Sequence, residues 1–162
     1  MAVNFTDSNC ITITDEKVFG ICDDPTLRNP AYLDFVDDTK WIAWVDNDAQ
    51  KSVTFTAIDH CINVQPTNAE RCDGMLHYEA TLIFVELKER IGGRWLGKAK
   101  DQLQSTIDIY KANEDVNIYD RHYGYVANRQ RPYFNAASPA LAEQFEDETG
   151  FVLIIDHFIK ID

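Results

Sequence analysis

The stretch that most constrains this chain is residues 81–88, TLIFVELK. Its four consecutive apolar residues, Leu82 to Val85, are branched or aromatic and read as a buried strand. The strand ends on two opposite charges. Side chains alternate along a strand, so Glu86 and Lys88 share a face. Upstream, in CDGMLHYEA, lies Asp73. A two-residue turn at Glu79-Ala80 pairs Tyr78 with Thr81, and counting outward along the hairpin puts Asp73 opposite Glu86. Three charged groups then converge at one end of a buried hairpin, and a slip of one residue would separate them.

Around this hairpin the chain reads as mixed α and β. Residues 24–38, DPTLRNPAYLDFVDD, predict a turn and a short helix interrupted by Pro30. WIAWVDN (41–47) and SVTFTAID (52–59) are β-branched and aromatic, with a polar link that predicts a second hairpin. From 96 to 113 the period changes to 3.6. Leu96, Ala99, Leu103, Thr106, Ile107 and Tyr110 fall on one face of an amphipathic helix. A strand near 119–126 follows. Ser138 as cap, Pro139 in the first turn and Gly150 as stop predict a helix over 139–149, and 151–161 closes the chain as one strand. The expectation is a single domain over 1–162, of α/β (α+β mixed) class, with a central mixed sheet flanked by helices.

Charge bears on partners. The net charge is −12, which opposes general nucleic-acid binding, but residues 88–131 carry nine Lys or Arg against six Asp or Glu. That segment is +3 and the remainder −15, so a basic surface on an acidic body can still steer a polyanion. No stretch approaches the roughly 20 apolar residues of a membrane span, which predicts no membrane partner. The N-terminus has no basic region followed by an apolar core, so a cytoplasmic location is expected. Cys10, Cys22, Cys61 and Cys72 form no close pair of the zinc-binding kind, and buried free thiols are expected.

The converging charges have a chemical use. Two carboxylates can hold a hard divalent cation while substrate phosphate and water fill its remaining positions. A lysine beside that ion can orient the attacking water or help take its proton. The alternative is a Glu-Lys pair closing a solvent-facing strand end.

Asp73, then Glu86-Leu87-Lys88 at the end of an apolar strand, then a helix carrying Gln102 in AKDQL, resembles the PD-(D/E)XK nuclease superfamily over roughly residues 52–126. The resemblance implies a restriction-endonuclease-like fold and Mg²⁺- or Mn²⁺-dependent cleavage of phosphodiester bonds. It assigns Asp73 and Glu86 to the metal, Lys88 to the nucleophilic water, and Gln102 to ordering the site. The proline of the motif is absent, since Cys72 precedes Asp73. Many members carry a further acidic residue on an earlier helix, for which Glu70, Asp59 and Glu16 are candidates.

Arg129 and Arg131 in NRQRP, together with Lys98, are the expected phosphate contacts. His60, His77, His122 and His157 lack metal-ligand spacing, and Trp41, Trp44 and Trp95 read as packing residues. The substrate expected is DNA, with RNA as the alternative. A compact nuclease of this kind often needs a homodimer or a protein partner to grip a duplex. The competing expectation is a non-catalytic protein of the same fold that binds a protein partner, as a regulator or immunity-type module.

Overall fold

The computed structural model describes residues 2–24, 26–89, 92–130 and 139–162. The N-terminal part gives β1 (Ile11–Thr14), β2 (Val18–Cys22), β3 (Tyr32–Asp34), β4 (Ala43–Asp46) and β5 (Val53–Ala57). Next come β6 (Gly74–Tyr78), β7 (Thr81–Lys88), α1 (Trp95–Asn113) and β8 (Arg121–Asn128). The chain closes with α2 (Pro139–Thr149), β9 (Val152–Ile155) and β10 (Phe158–Lys160).

Six strands form the larger sheet, in the order β1-β5-β6-β7-β8-β9. Its first four strands run antiparallel to their neighbours, and β8 and β9 then continue parallel to β7. The parallel step from β7 to β8 needs a crossover, which α1 supplies. A smaller sheet, β10-β4-β2-β3, is also mixed, because β10 lies parallel to β4. The mixed α and β character expected from the sequence is present, in two sheets and two helices.

The alternation along β7 shows how the layers stack. Leu82 and Phe84 pack with Ala99, Leu103 and Ile107 of α1 and with Phe145 of α2. Ile83, Val85 and Leu87 point the other way, into a second core with Phe19, Ile21, Val45 and Ile159 of the smaller sheet. With both faces of β7 covered, the run is apolar without interruption rather than alternating. Both described helices therefore lie on one face of the large sheet, and a sheet covers the other; helices on both sides were not needed. Trp41 and Trp95 are buried and Trp44 is half-buried, with the Trp41 and Trp44 rings edge-to-face at 5.5 Å.

Several local expectations need correction. β4 and β5 do not form a hairpin; they belong to different sheets. Buried Asn47 redirects the chain between them, donating to the carbonyls of Glu16 (3.1 Å) and Lys51 (2.9 Å) and accepting from the Lys51 amide (3.0 Å). Residues 24–38 hold strand β3 rather than a helix, because aspartate side chains capture nearby amides. Asp24 accepts from Thr26, Asp34 from Asp37, and Asp37 from Thr39, which competes with helical bonding. The last apolar run is two strands. Asp156 accepts from the Phe158 amide at 3.0 Å and breaks it between the two sheets. Strands β1 and β2 were not anticipated, and β8 starts two residues later than expected. The helix over 139–149 is present, while its expected cap Ser138 lies outside the described residues.

The free-thiol expectation also fails in part. Cys10 and Cys61 form a disulfide, with Cα atoms 5.8 Å apart, and Cys22 and Cys72 remain buried thiols. The two bonded cysteines are 51 positions apart, so their meeting depends on tertiary structure that no local pattern announces. Among the described residues, no helix is long and apolar enough to cross a membrane.

Candidate active site

The β6–β7 hairpin has the register its two-residue turn demands. Tyr78 pairs with Thr81 and Gly74 with Val85, and Glu79 takes a positive φ of 45° in the turn. One step beyond the last pair, Asp73 and Glu86 meet. The Asp73 amide donates to Glu86 Oε1 at 3.2 Å, and the Leu87 amide donates to Asp73 Oδ2 at 2.8 Å. Both residues are buried, at 9% and 2% exposure.

Glu86 and Lys88 share the helix-facing side of β7. Lys88 Nζ lies 3.0 Å from Glu86 Oε2 and donates to Gln102 Oε1 at 2.7 Å. Gln102 is held in turn by its Nε2, which reaches the Arg71 carbonyl at 3.5 Å. One helical turn on, Thr106 Oγ1 donates to the Gln102 carbonyl and accepts the Cys72 amide at 2.7 Å. The helix thus fixes the hairpin end by two polar links, one on each side of the carboxylates.

The carboxylates open into a cleft of about 370 Å³, lined by Asp23, Asp59, Asp73, Glu86, Leu87, Lys88, Glu89 and Gln102 with Ile42. Burial pushes the Asp73 carboxyl well above the usual carboxylate range, and the Glu86 charge beside it pushes further. Burial also raises Glu86, and Lys88 pulls it back down. Burial raises Asp23 as well.

This donor set fits a hard cation. Carboxylate oxygens are its preferred ligands, and two adjacent carboxylates that burial drives towards the neutral form are relieved by a divalent ion. Among the described residues, no three His, Cys, Asp or Glu side chains are grouped to hold an ion. The fit is to an ion with two protein carboxylates whose other positions belong to water and substrate, the usual arrangement for Mg²⁺ at phosphate sites.

The cleft brings together Asp73, Glu86, Lys88 and Gln102. Of the further acidic candidates, Asp59 reaches the cleft, while Glu16 and Glu70 are exposed and do not line it. Asp59 sits 3.2 Å from Arg71 Nε and 3.4 Å from the His60 ring. Asp23 is the residue that sequence reading missed. It follows β2, and without that strand nothing marked its position. Arg129 is not in the cleft; it binds Glu89 and donates to the Thr39 carbonyl at 3.2 Å, beside a neighbouring cavity. Lys98 lines a separate small cavity next to Lys88, and Arg131 lies outside the described residues.

Comparison with protein-family models, with curated proteins and with solved structures finds no match.

Proposed function

We propose that this protein is a metal-dependent nuclease that hydrolyses phosphodiester bonds of DNA, with RNA as the alternative substrate, on a restriction-endonuclease-like core. The observation that carries the reading is the buried pair Asp73 and Glu86 with the half-buried Lys88 in an open cleft, Lys88 being held by Gln102. Residues 52–126, over which the resemblance runs, form one contiguous unit of three antiparallel strands, a crossover helix and a parallel strand. The charges stand at the strand end where that crossover begins.

Asp73 and Glu86 would hold Mg²⁺ or Mn²⁺. A divalent cation bound there would offset charge on the phosphate and lower the pKa of a bound water. Main-chain amides fix one oxygen of each carboxylate, so the pair is positioned before substrate arrives. Lys88 is held between Glu86 and Gln102, and its ammonium orients the attacking water towards phosphorus. Gln102 is a positioning residue: it acts on Lys88.

A Mn²⁺ titration by calorimetry on wild type and Glu86→Gln, with circular dichroism on both, tests this first. Binding by the wild type, lost in a folded variant, is expected, followed by Mn²⁺-dependent nicking of plasmid DNA. A folded wild type that neither binds Mn²⁺ nor cleaves DNA or RNA would overturn the reading. One observation favours a second reading, a non-catalytic protein-binding module: Asp23, Asp59 and Glu89 add negative charge around the cleft on a chain already at −12. Under that reading Asp73→Ala leaves partner binding intact.

A further inference from the structure

Resting on the nuclease reading, we propose that the small cavity beside Lys88 seats the phosphate next to the scissile one, so that the substrate is a polynucleotide strand rather than an isolated phosphodiester. The cavity measures about 150 Å³ and is lined by Lys88, Gly92, Gly93, Arg94, Trp95 and Lys98. It shares Lys88 with the carboxylate cleft, so a phosphate seated in it borders the carboxylates on the Lys88 side.

Charge decides between the two neighbours of the cleft. The cavity on the other side is lined by Asp23, Asp24 and Glu89 against Lys40 and Arg129, and Arg129 is already bound to Glu89. Its acids outnumber its bases. Among the described residues, the wall of the Lys88 cavity has three cationic side chains and no carboxylate. Arg94 and Lys98 are exposed, and among the described residues neither is recorded in an ion pair. Lys51, Arg71, Lys100, Arg121 and Arg129 all have one.

Spacing supports the same assignment. Lys98 and Gln102 lie four residues apart on one face of α1, and Arg94 sits at its N-cap four residues before Lys98. Each step rises about 6 Å along the axis, close to the step between successive phosphates of a strand. Gln102 touches Lys88 beside the carboxylates; Lys98 stands one phosphate away.

The test measures binding of a fluorescein-labelled twelve-nucleotide oligo-dT by anisotropy in Ca²⁺, across a series of salt concentrations. It compares wild type with the double variant Arg94→Ala/Lys98→Ala. Wild type should bind about tenfold more tightly, and the slope of log K against log salt should fall by about 0.7 in the variant, one single-strand phosphate. Equal affinity and slope, or no binding by wild type, overturns the proposal. Full displacement of the oligonucleotide by millimolar inorganic phosphate also overturns it, because the site would then hold free anion. Mn²⁺ calorimetry on both proteins reads the carboxylates separately. Oligonucleotide binding that depends on Arg94 and Lys98 in a protein that binds no Mn²⁺ upholds the subsite and overturns the nuclease reading alone.

Discussion

Asp73 and Glu86 each accept a hydrogen bond from the main chain of the other's strand: Glu86 Oε1 takes the Asp73 amide, and Asp73 Oδ2 takes the Leu87 amide. This reciprocal arrangement locks two buried acids face to face at the open end of the β6–β7 hairpin. The backbone bonds favour charge on both, whereas burial opposes it on both and prevails, and the Glu86 charge opposes it further on Asp73. Without a cation, the fold carries a standing electrostatic cost at this point.

Removing one charge should therefore stabilise the protein. The folded-state pKa of Asp73 is raised, so its contribution is fully present below the unfolded carboxylate value and is lost as pH rises through the folded one. Asp73→Asn retains an acceptor for the Leu87 amide and does not titrate. Melting curves from about pH 4 to pH 8 should show the variant a few degrees more stable at the upper end, by the usual scaling for this size. The two proteins should converge in acid. A variant less stable than wild type at pH 8 would show that the cost of burying the Asp73 charge is not the dominant effect.

Metal binding should release protons. Ligand carboxylates must be ionised, and burial holds the Asp73 carboxyl well above the usual carboxylate range, so binding draws protons off the site. Mn²⁺ titrations near pH 6 in two buffers of different ionisation enthalpy should give different apparent heats, and affinity should rise towards pH 8. Heats that match in both buffers would place the bound ion elsewhere.

Lys88→Met should destabilise the protein by about 3 kcal/mol, because it strands a buried carboxylate. The Glu86 and Lys88 side chains are 3% and 11% exposed. Adding Glu86→Gln to that variant should recover part of the loss in denaturant melts, giving a clearly non-additive cycle. Additive losses would mean that the 3.0 Å pair carries little coupling. Gln102→Ala should cost less, about 1 kcal/mol, and lower the rate of nicking while leaving Mn²⁺ affinity near wild type.

Reduction of Cys10–Cys61 should lower stability by up to about 4 kcal/mol, the chain-entropy figure for a loop of this length. The bond spans 51 positions, and Asp59 lies two residues from Cys61 at the edge of the cleft. Guanidinium melts with and without dithiothreitol, and of Cys10→Ser/Cys61→Ser, give the value. Coincident melts would show that the bond constrains little.

The site was legible where it is local. The turn at Glu79-Ala80 fixes the register, the register fixes Asp73 against Glu86, and alternation fixes Lys88 beside Glu86; each step spans a few residues. The periodicity of α1 likewise placed Leu103 and Ile107 in the core, whereas Gln102 was singled out only by the family resemblance. What escaped notice depends on distant partners. β4 reads equally well in either sheet until Asn47 diverts the chain, and β10 joins β4 only after Asp156 breaks the final run. Asp23 and the disulfide depend on that same long-range assembly. Arg129 and Lys98 read alike as cations, but the structure separates them: Glu89 binds one, and the other lines the cavity beside Lys88.

The layering of β7 sets an order in time. Its helix-facing charges are assembled from a hairpin and the next helix, all close in the chain, whereas the sheet on its other face needs Phe158 to return to Trp44, more than a hundred residues away. Contacts of such different reach form at different rates. The carboxylates can therefore meet before β10 joins β4. Because β2, β3 and β4 precede β7 in the chain, only the β10 edge of the second core waits for that late contact. Pulsed hydrogen exchange during refolding would register this as protection of the Phe84 amide ahead of that of Trp44, which donates to the His157 carbonyl beside β10.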